Sequence, residues 1–356
     1  MKIRKQYLGW MAAAGTGAAV GTVVAGTAAA LGVALVSREL LRRVRSTDLK
    51  GKVVMITGGS KGLGFAMAQQ FARRGGRIVI CARNPEPLEQ ARRELEQQGV
   101  EVLAEQCDVT DPRQVERLVA EANRRFGRVD VLVNNAGIIT VGPLETQRRE
   151  DFEEAMNVMF WGAVNPALAV LPQMLERGRG HIVNITSIGG RVSVPHLLPY
   201  NCAKFALVGF SEGLRAELAK DGIRVTTVVP GLMRTGSHLN ALFKGQHRAE
   251  YTWFSLSATS PLTSMSARRA AAAVVRAVAR GDSDVVLTLQ AKLLALVHGL
   301  FPGLTAEVLA LANRLLPTAA GAGAERHTGK QSRTRVTDSF LTALGRAPAQ
   351  KLHQVG

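Results

Sequence analysis

Tyr200 and Lys204 stand four residues apart, and Ser187 lies thirteen residues before the tyrosine. On a helix, side chains four residues apart share one face, so the phenol and the ammonium would address the same region. An ammonium close to a phenol favours phenolate and would bring its pKa from about 10 toward neutral pH, where general acid–base work is done. An isolated Tyr-x-x-x-Lys could equally be a surface tyrosine beside a solvated lysine. A serine hydroxyl upstream, at the end of a β-branched run, makes Ser187, Tyr200 and Lys204 a candidate proton-transfer set.

A second constellation lies nearer the start of the chain. Thr57-Gly58-Gly59-Ser60-Lys61-Gly62-Leu63-Gly64 follows a β-branched run and leads into an apolar segment that begins near Phe65. Glycines let a backbone turn tightly and approach a diphosphate, whose charge rests against the helix N-terminus. Such a turn can be no more than a tight connection, but a strand before it and a helix after it supply the context a dinucleotide site requires.

Both sets need a scaffold. Runs at Lys52–Thr57, Arg77–Ala82, Glu101–Gln106, Val129–Asn134, His181–Thr186 and Arg224–Val229 alternate with amphipathic stretches. The alternation predicts an α/β fold, a Rossmann-like doubly wound parallel sheet with helices on both faces. A last helix, opened by Ser266 and stopped by Gly281, leads into a final strand at Asp284–Leu289.

The spacing Thr-Gly-x-x-x-Gly-x-Gly resembles that of the short-chain dehydrogenase/reductase family, classical type, and three further matches strengthen the resemblance. Asn134-Asn135-Ala136-Gly137 closes the fourth strand, Ser187, Tyr200 and Lys204 carry the family's active-site spacing, and Pro230-Gly231 with Thr235 matches the turn at the nicotinamide end. The matches run over residues 52–289. The resemblance implies an oxidoreductase that interconverts a carbonyl and a secondary or primary alcohol. Ser187 would bind the substrate oxygen, Tyr200 would transfer the proton, and Lys204 would tune Tyr200 and hold the nicotinamide ribose. Gly58, Ser60, Lys61, Gly62, Leu63 and Gly64 would meet the cofactor, and Asn135, Ala136 and Gly137 would line its adenine pocket. Asp108, with Val109, resembles the residue that hydrogen-bonds adenine, although an Asp there could merely form a turn. Asn157, in Asn-Val-Met-Phe-Trp-Gly, matches the family's helix-borne Asn that anchors a water in the proton relay; a lone helix Asn can also simply pin a helix. A homo-oligomer is a further implication.

At the end of the second strand an acid would bind the ribose 2′-hydroxyl of NAD and repel a 2′-phosphate. Ala82 stands there, followed by Arg83, and Lys61 adds a second cation, so NADP(H) is expected over NAD(H). The bland reading of Arg83 is a solvated strand-end cation. Residues 236–261 correspond to the family's variable substrate lid and carry Leu239, Leu242, Phe243, Tyr251, Trp253 and Phe254. An apolar lid beside a membrane anchor suggests a lipophilic substrate, and the combination resembles membrane-bound members of the family, which implies one of steroid, retinoid, sphingoid or fatty type, unless these side chains merely pack on the sheet. A non-catalytic NADP(H)-binding scaffold or redox sensor at a membrane is the alternative function. The complete Ser187, Tyr200 and Lys204 set argues against it, because a scaffold needs no proton-transfer group.

A formal net charge of +17 raises nucleic acid as a partner. Residues 1–50 hold eight Lys and Arg against Glu39 and Asp48, and residues 318–356 hold six against Glu325 and Asp338, so the ends carry +10 of it. The middle has no dense basic run or aromatic-interleaved motif, which favours a membrane surface or an anionic cofactor over nucleic acid. Cys81, Cys107 and Cys202 lie far apart with no paired spacing, which argues against a disulfide framework or a metal site and fits a reducing compartment.

No Asp, Glu, Lys or Arg occurs from Gln6 to Ser37, a run longer than the roughly 20 residues a membrane-spanning helix needs. It reads as a retained transmembrane helix, with a cleaved signal peptide or an interfacial helix as the other readings. Arg38, Arg42, Arg43, Arg45 and Lys50 follow it while Lys2, Arg4 and Lys5 precede it, which places the catalytic domain of a single-pass protein on the cytoplasmic side. The chain then divides into an anchor with a basic juxtamembrane segment (1–46), a catalytic domain (47–289), a Leu-rich helical extension (290–317) and a basic tail (318–356). Lys292, Pro302, Glu307 and Arg314 interrupt the extension, so it reads as a helical pair packed on the domain, on a partner or on the membrane surface. The tail is expected to be mostly disordered.

Overall fold

In the computed structural model the chain runs through β1 (Val53–Thr57), α1 (Gly62–Ala72), β2 (Arg77–Ala82), α2 (Pro85–Glu96), β3 (Val102–Gln106), α3 (Pro112–Phe126), β4 (Val131–Asn134) and the short β5 (Thr140–Val141). There follow α4 (Arg149–Met156), a π-helical turn (Asn157–Trp161), α5 (Gly162–Glu176), β6 (Gly180–Ile185), α6 (Leu198–Leu218), β7 (Ile223–Val229) and β8 (Leu232–Arg234). The last third holds β9 (Leu242–Phe243), α7 (His247–Thr259), β10 (Ser264–Ser266), α8 (Ala267–Arg280), β11 (Asp284–Val286), α9 (Leu289–Leu300), α10 (Pro302–Asn313), β12 (His327–Thr328) and α11 (Ala343–Lys351). The structure describes residues 46–319, 323–339 and 342–355. The uncharged run read as an anchor lies outside them.

Seven parallel strands form the main sheet in the order β11-β7-β6-β4-β1-β2-β3, the doubly wound arrangement the alternating pattern predicts. β1 reads Val-Val-Met-Ile-Thr and is buried throughout, as a strand covered on both faces must be. Its Ile56 pairs with Ile80 of β2 on one side and Val133 of β4 on the other. From β1 the chain winds outward through β2 and β3, then returns to the opposite side with β4. That reversal opens a crevice beyond the carboxyl ends of β1 and β4, where α/β sheets bind ligands.

Two apolar layers cover the sheet. Phe65 and Phe71 of α1 pack with Ala270 and Val274 of α8 on one face; Val115 and Leu118 of α3 pack with Val170 of α5 and Leu218 of α6 on the other. Each fully buried Phe contributes about 1.5–3 kcal/mol relative to exposure. Local signals set the helix ends. The Asp111 side chain accepts from the backbone N–H groups of Arg113 and Gln114 at the start of α3, a cap whose loss costs about 1 kcal/mol. Ser266 caps α8 and Gly281, at φ 64°, ends it, as read from the sequence.

Arg149–Glu176, the continuous run of α4, the π turn and α5, is the one helix among the described residues long and apolar enough to cross a bilayer. Half of its apolar window is buried, and it belongs to the layer over the sheet.

The tail departs from the disorder expected of it. β12 pairs antiparallel with β9, extending a small sheet of β5, β9 and β12, and α11 leads to Leu352, His353 and Gln354, all buried.

Candidate active site

A cavity of about 440 Å³ occupies the crevice. Its floor is the glycine turn after β1. Gly58 and Gly62 have φ of 63° and 57°, the left-handed region that side chains disfavour. A Cβ on Gly58 would lie 3.1 Å from Ala136 Cα. Gly64 does not line the cavity, contrary to its expected cofactor contact: a Cβ there would fall 2.2 Å from the Gly58 carbonyl oxygen, so its role is to let α1 pack on the turn. Ser60, Lys61 and Leu63 line the floor with Gly58 and Gly62.

The turn is tied to the end of β4. Thr57 Oγ1 accepts from the backbone N–H groups of Asn135 (3.0 Å) and Ala136 (3.1 Å), and Asn135 Nδ2 donates to the carbonyls of Thr57 (3.0 Å) and Gly58 (3.2 Å). Asn135, Ala136 and Gly137 form the adjoining wall. Asn134 instead points into the core, donating to Asn184 Oδ1 and the Ala163 carbonyl. Asn184, within β6, continues that network to Ser211.

Arg83, exposed at the end of β2, and Asp108 and Val109, after β3, line one end of the cavity. Asp108 Oδ1 accepts from the backbone and hydroxyl of Thr110, both at 2.9 Å, so the turn-forming role is realised. Cys81 and Cys107, remote in sequence, also meet here: both line the cavity and their side chains hydrogen-bond, which pushes the Cys81 thiol up, with burial adding to the effect. Both remain free thiols. Lys61 is pushed down by burial and then by the nearby ammonium of Lys330.

Ser187, Tyr200 and Lys204 line the far end. Ser187 lies just past β6 and accepts from the Gly189 N–H at 3.0 Å; Tyr200 and Lys204 lie in the first turns of α6. Lys204 is buried, donates to the Ile185 carbonyl at 2.8 Å, and holds its Nζ 5.8 Å from the centre of the Tyr200 ring. Burial pushes Lys204 down to about 8. Burial also pushes Tyr200 up, opposed by its hydrogen bond with Ser187. The serine hydroxyl thus favours ionisation of the phenol. Pro230, Gly231 and Thr235 complete this end. A Cβ on Gly231 would lie 2.4 Å from Thr288 Oγ1, so only glycine fits that turn.

Asn157 does not join them. It is exposed and off the cavity, whereas Met159, two residues on, is buried, lines the wall and packs in the cluster that includes Tyr200. Both lie in the π-helical turn, whose wider i→i+5 winding changes which residues face inward relative to an α-helix.

The lid side chains also face elsewhere. Phe243, Tyr251 and Phe254 pack into a cluster of their own with Val141 and Ala241, joined by Leu239 and Trp253. None of these three aromatics, nor Leu239, Leu242 or Trp253, lines the cavity; Ser237, Asn240 and Ala241 do. Apolar lining comes instead from Ile138, Ile139, Val158, Met159 and Met233, unforeseen in the sequence, of which Ile138, Val158 and Met159 pack in the cluster that includes Tyr200. Gln354 of the tail is another unforeseen lining residue, and no local signal marks it.

Residues 52–242 match the family model for short chain dehydrogenases. The chain is 34% identical over 278 residues to dehydrogenase/reductase SDR family member 7B of Mus musculus, covering 76% of this chain and 84% of that one. It is also 34% identical over 249 residues to the putative oxidoreductase SadH of Mycobacterium tuberculosis, covering 69% and 89%. Among solved structures, a short-chain dehydrogenase from Streptomyces avermitilis superposes with a TM-score of 0.62 at 30% identity, over 74% of this chain and 97% of that one. An actinorhodin polyketide ketoreductase solved with NADPH gives 0.60 at 31%, over 68% and 97%. Family model, relatives and folds agree with the geometry of the crevice, and the chain belongs to the short-chain dehydrogenase/reductase family, as an oxidoreductase of that type.

Proposed function

We propose that this enzyme uses NADP(H) to interconvert a lipophilic carbonyl and its alcohol, with Tyr200 as the proton donor. The observation that carries the reading is the convergence of Ser187, Tyr200 and Lys204 on one end of a cavity whose floor is a glycine turn. The residues present suit a dinucleotide: glycine backbone at φ values that admit close approach, α1's N-terminus behind it, and a cavity that runs from Arg83 to Tyr200. A related ketoreductase was solved with NADPH. When bound, the nicotinamide supplies or takes the hydride.

The protein's own groups do the rest. Ser187 holds the substrate oxygen beside Tyr200. A phenol kept protonated by burial can donate to that oxygen as charge develops on it, and the serine bond eases its ionisation. Lys204, pinned by the Ile185 carbonyl, offers its remaining N–H groups to a ribose. The β2 end carries Ala82 and Arg83 in place of an acid, so a 2′-phosphate meets Arg83 and Lys61 without repulsion. An anion there would also relieve the burial and Lys330 repulsion that push Lys61 down.

A lipophilic substrate is supported by the Ile138, Ile139, Val158, Met159 and Met233 wall, not by the lid aromatics. Residues 1–46 would hold the enzyme at a membrane with the catalytic domain cytoplasmic, and removing them should leave NADPH affinity unchanged. Rates of NADPH and NADH oxidation with carbonyls of increasing apolar size test the reading. It expects kcat/KM to rise with size and to favour NADPH. No turnover with any carbonyl, despite NADPH binding, would favour the scaffold reading.

A further inference from the structure

We propose that the hairpin of α9 and α10 dips its tip into a lipid bilayer. Leu293, Leu296, Leu300, Phe301, Leu304 and Val308 are each more than half exposed. No Asp, Glu, Lys or Arg occurs from Leu293 to Ala306; Lys292 and Glu307 bound the uncharged stretch, and Arg314 follows α10. Each helix has 12 residues, about 18 Å at 1.5 Å per residue, too short for a hydrocarbon core of about 30 Å. The hairpin can enter but not cross. Glu307 lies five residues beyond Pro302, about 7.5 Å along the axis, which matches the depth of roughly 5–10 Å at which interfacial helices settle.

A protein partner, or a second copy, would cover helix flanks and leave a polar turn in water. Here the turn itself is apolar, Leu300-Phe301-Pro302-Gly303-Leu304, and the cations stand back from it, as for a tip that enters lipid beneath anionic headgroups. The root of α9 adjoins the catalytic end of the cavity: a Cβ on Gly231 would lie 3.3 Å from Ala291 Cβ. Insertion of the tip would therefore hold the site close to the bilayer in which an apolar substrate dissolves.

The test uses the full chain with Cys202→Ser, which removes the exposed thiol, and Phe301→Cys carrying an environment-sensitive fluorophore. Vesicles of phosphatidylcholine and phosphatidylserine should shift its emission to the blue, and a quencher on the acyl chains should quench it. Adding Leu300→Asp and Leu304→Asp should abolish both responses. Water-like, unquenched emission in vesicles overturns the proposal. So does a blue shift that needs no vesicles and grows with protein concentration, which would identify a second copy as the occupant.

A different observation carries a second inference, which rests on the dinucleotide reading. We infer that residues 352–354 occlude the diphosphate end of the cavity and must be displaced for cofactor to bind. The N–H of Gly62, the first residue of α1 and a natural diphosphate donor, is given to the Leu352 carbonyl at 2.9 Å. A Cβ on Gly62 would lie 2.6 Å from Gln354 Nε2, so the Gln354 carboxamide fills the space that a glycine keeps clear for a diphosphate. Asn240 Nδ2 holds it there by donating to both Gln354 oxygens. His353 takes a left-handed backbone, φ 57°, rare for a side-chain-bearing residue, and bonds the Ser60 carbonyl and Glu94 through its two ring nitrogens, each at 2.9 Å.

NADPH titration of the full chain, of a form lacking residues 352–356 and of Gln354→Ala decides the matter. The deletion should tighten Kd about tenfold and Gln354→Ala about threefold, from the hydrogen bonds no longer competing. Leu352 is buried, so Gln354→Ala, which keeps it, decides if the deletion does not fold. Unchanged or weaker NADPH binding in Gln354→Ala overturns the inference. Failure of every form to bind either NADPH or NADH would overturn the dinucleotide reading, and this inference with it.

Discussion

The two stretches that follow the sheet dispose of their side chains in opposite ways. α9 and α10 are rich in leucine, yet Leu296 is 58% exposed and Leu304 60%. The later stretch is polar and basic in sequence, yet Ser332, Thr337, Ala349 and His353 are buried. Bonding geometry accounts for the second case. Arg326 reaches Asp151 Oδ1 at 2.7 Å and Glu154 Oε2 at 2.6 Å, while Lys244 holds the other oxygen of the buried Asp151. Gly329 donates to the Ala241 carbonyl at 2.9 Å and passes so close to the His238 carbonyl that no Cβ would fit. Leaving water is rewarded by apolar area only when a complementary surface exists, and a polar segment can be buried when each bond lost to water is replaced. Leftover apolar surface thus stays exposed, while polar burial marks a specific docking site.

If chemistry belongs to the crevice alone, substitutions there should change turnover, and substitutions in the hairpin should not. Tyr200→Phe should have the largest effect, lowering kcat by about a hundredfold or more while NADPH affinity stays within about twofold, because the ring remains and only the transferable proton is lost. Steady-state kinetics beside a binding titration checks it, and higher residual activity would remove Tyr200 as donor.

Next in size is a pH effect at Lys204. With its pKa lowered from 10.5 to about 8, the ammonium is charged below pH 8 and neutral above it. The reduction rate at low NADPH should therefore fall above pH 8, approaching about tenfold per pH unit. In Lys204→Arg the residual rate should hold to higher pH, because the guanidinium keeps its charge.

Arg83→Asp should shift the NADPH-to-NADH ratio of kcat/KM toward NADH by about tenfold, since a carboxylate repels the 2′-phosphate and accepts from a ribose hydroxyl. An unchanged ratio would take Arg83 out of the site. The smallest effect belongs to the hairpin: Leu296→Ser with Val308→Ser should leave kcat/KM on a water-soluble carbonyl within about twofold and stability within about 0.5 kcal/mol per site. A larger loss of turnover would mean that the hairpin supports the catalytic end, and the contrast between the regions would fail.

Sequence alone determined the parallel sheet, the glycine turn, the Ser187, Tyr200 and Lys204 set and the caps at Ser266 and Gly281. Each of these depends on residues close together in the chain, whose periodicity or spacing is written locally. Only the tertiary structure decided the rest. A π-helical turn exchanged Asn157 for Met159 at the cavity wall, a winding that the residue order does not announce. Strand pairing brought Cys81 to Cys107, and lid packing turned Phe243 and Tyr251 away from the cavity. His353 found the Ser60 carbonyl 293 residues away. Contacts of that range rest on the match between two finished surfaces, which neither hydropathy nor spacing along one of them records.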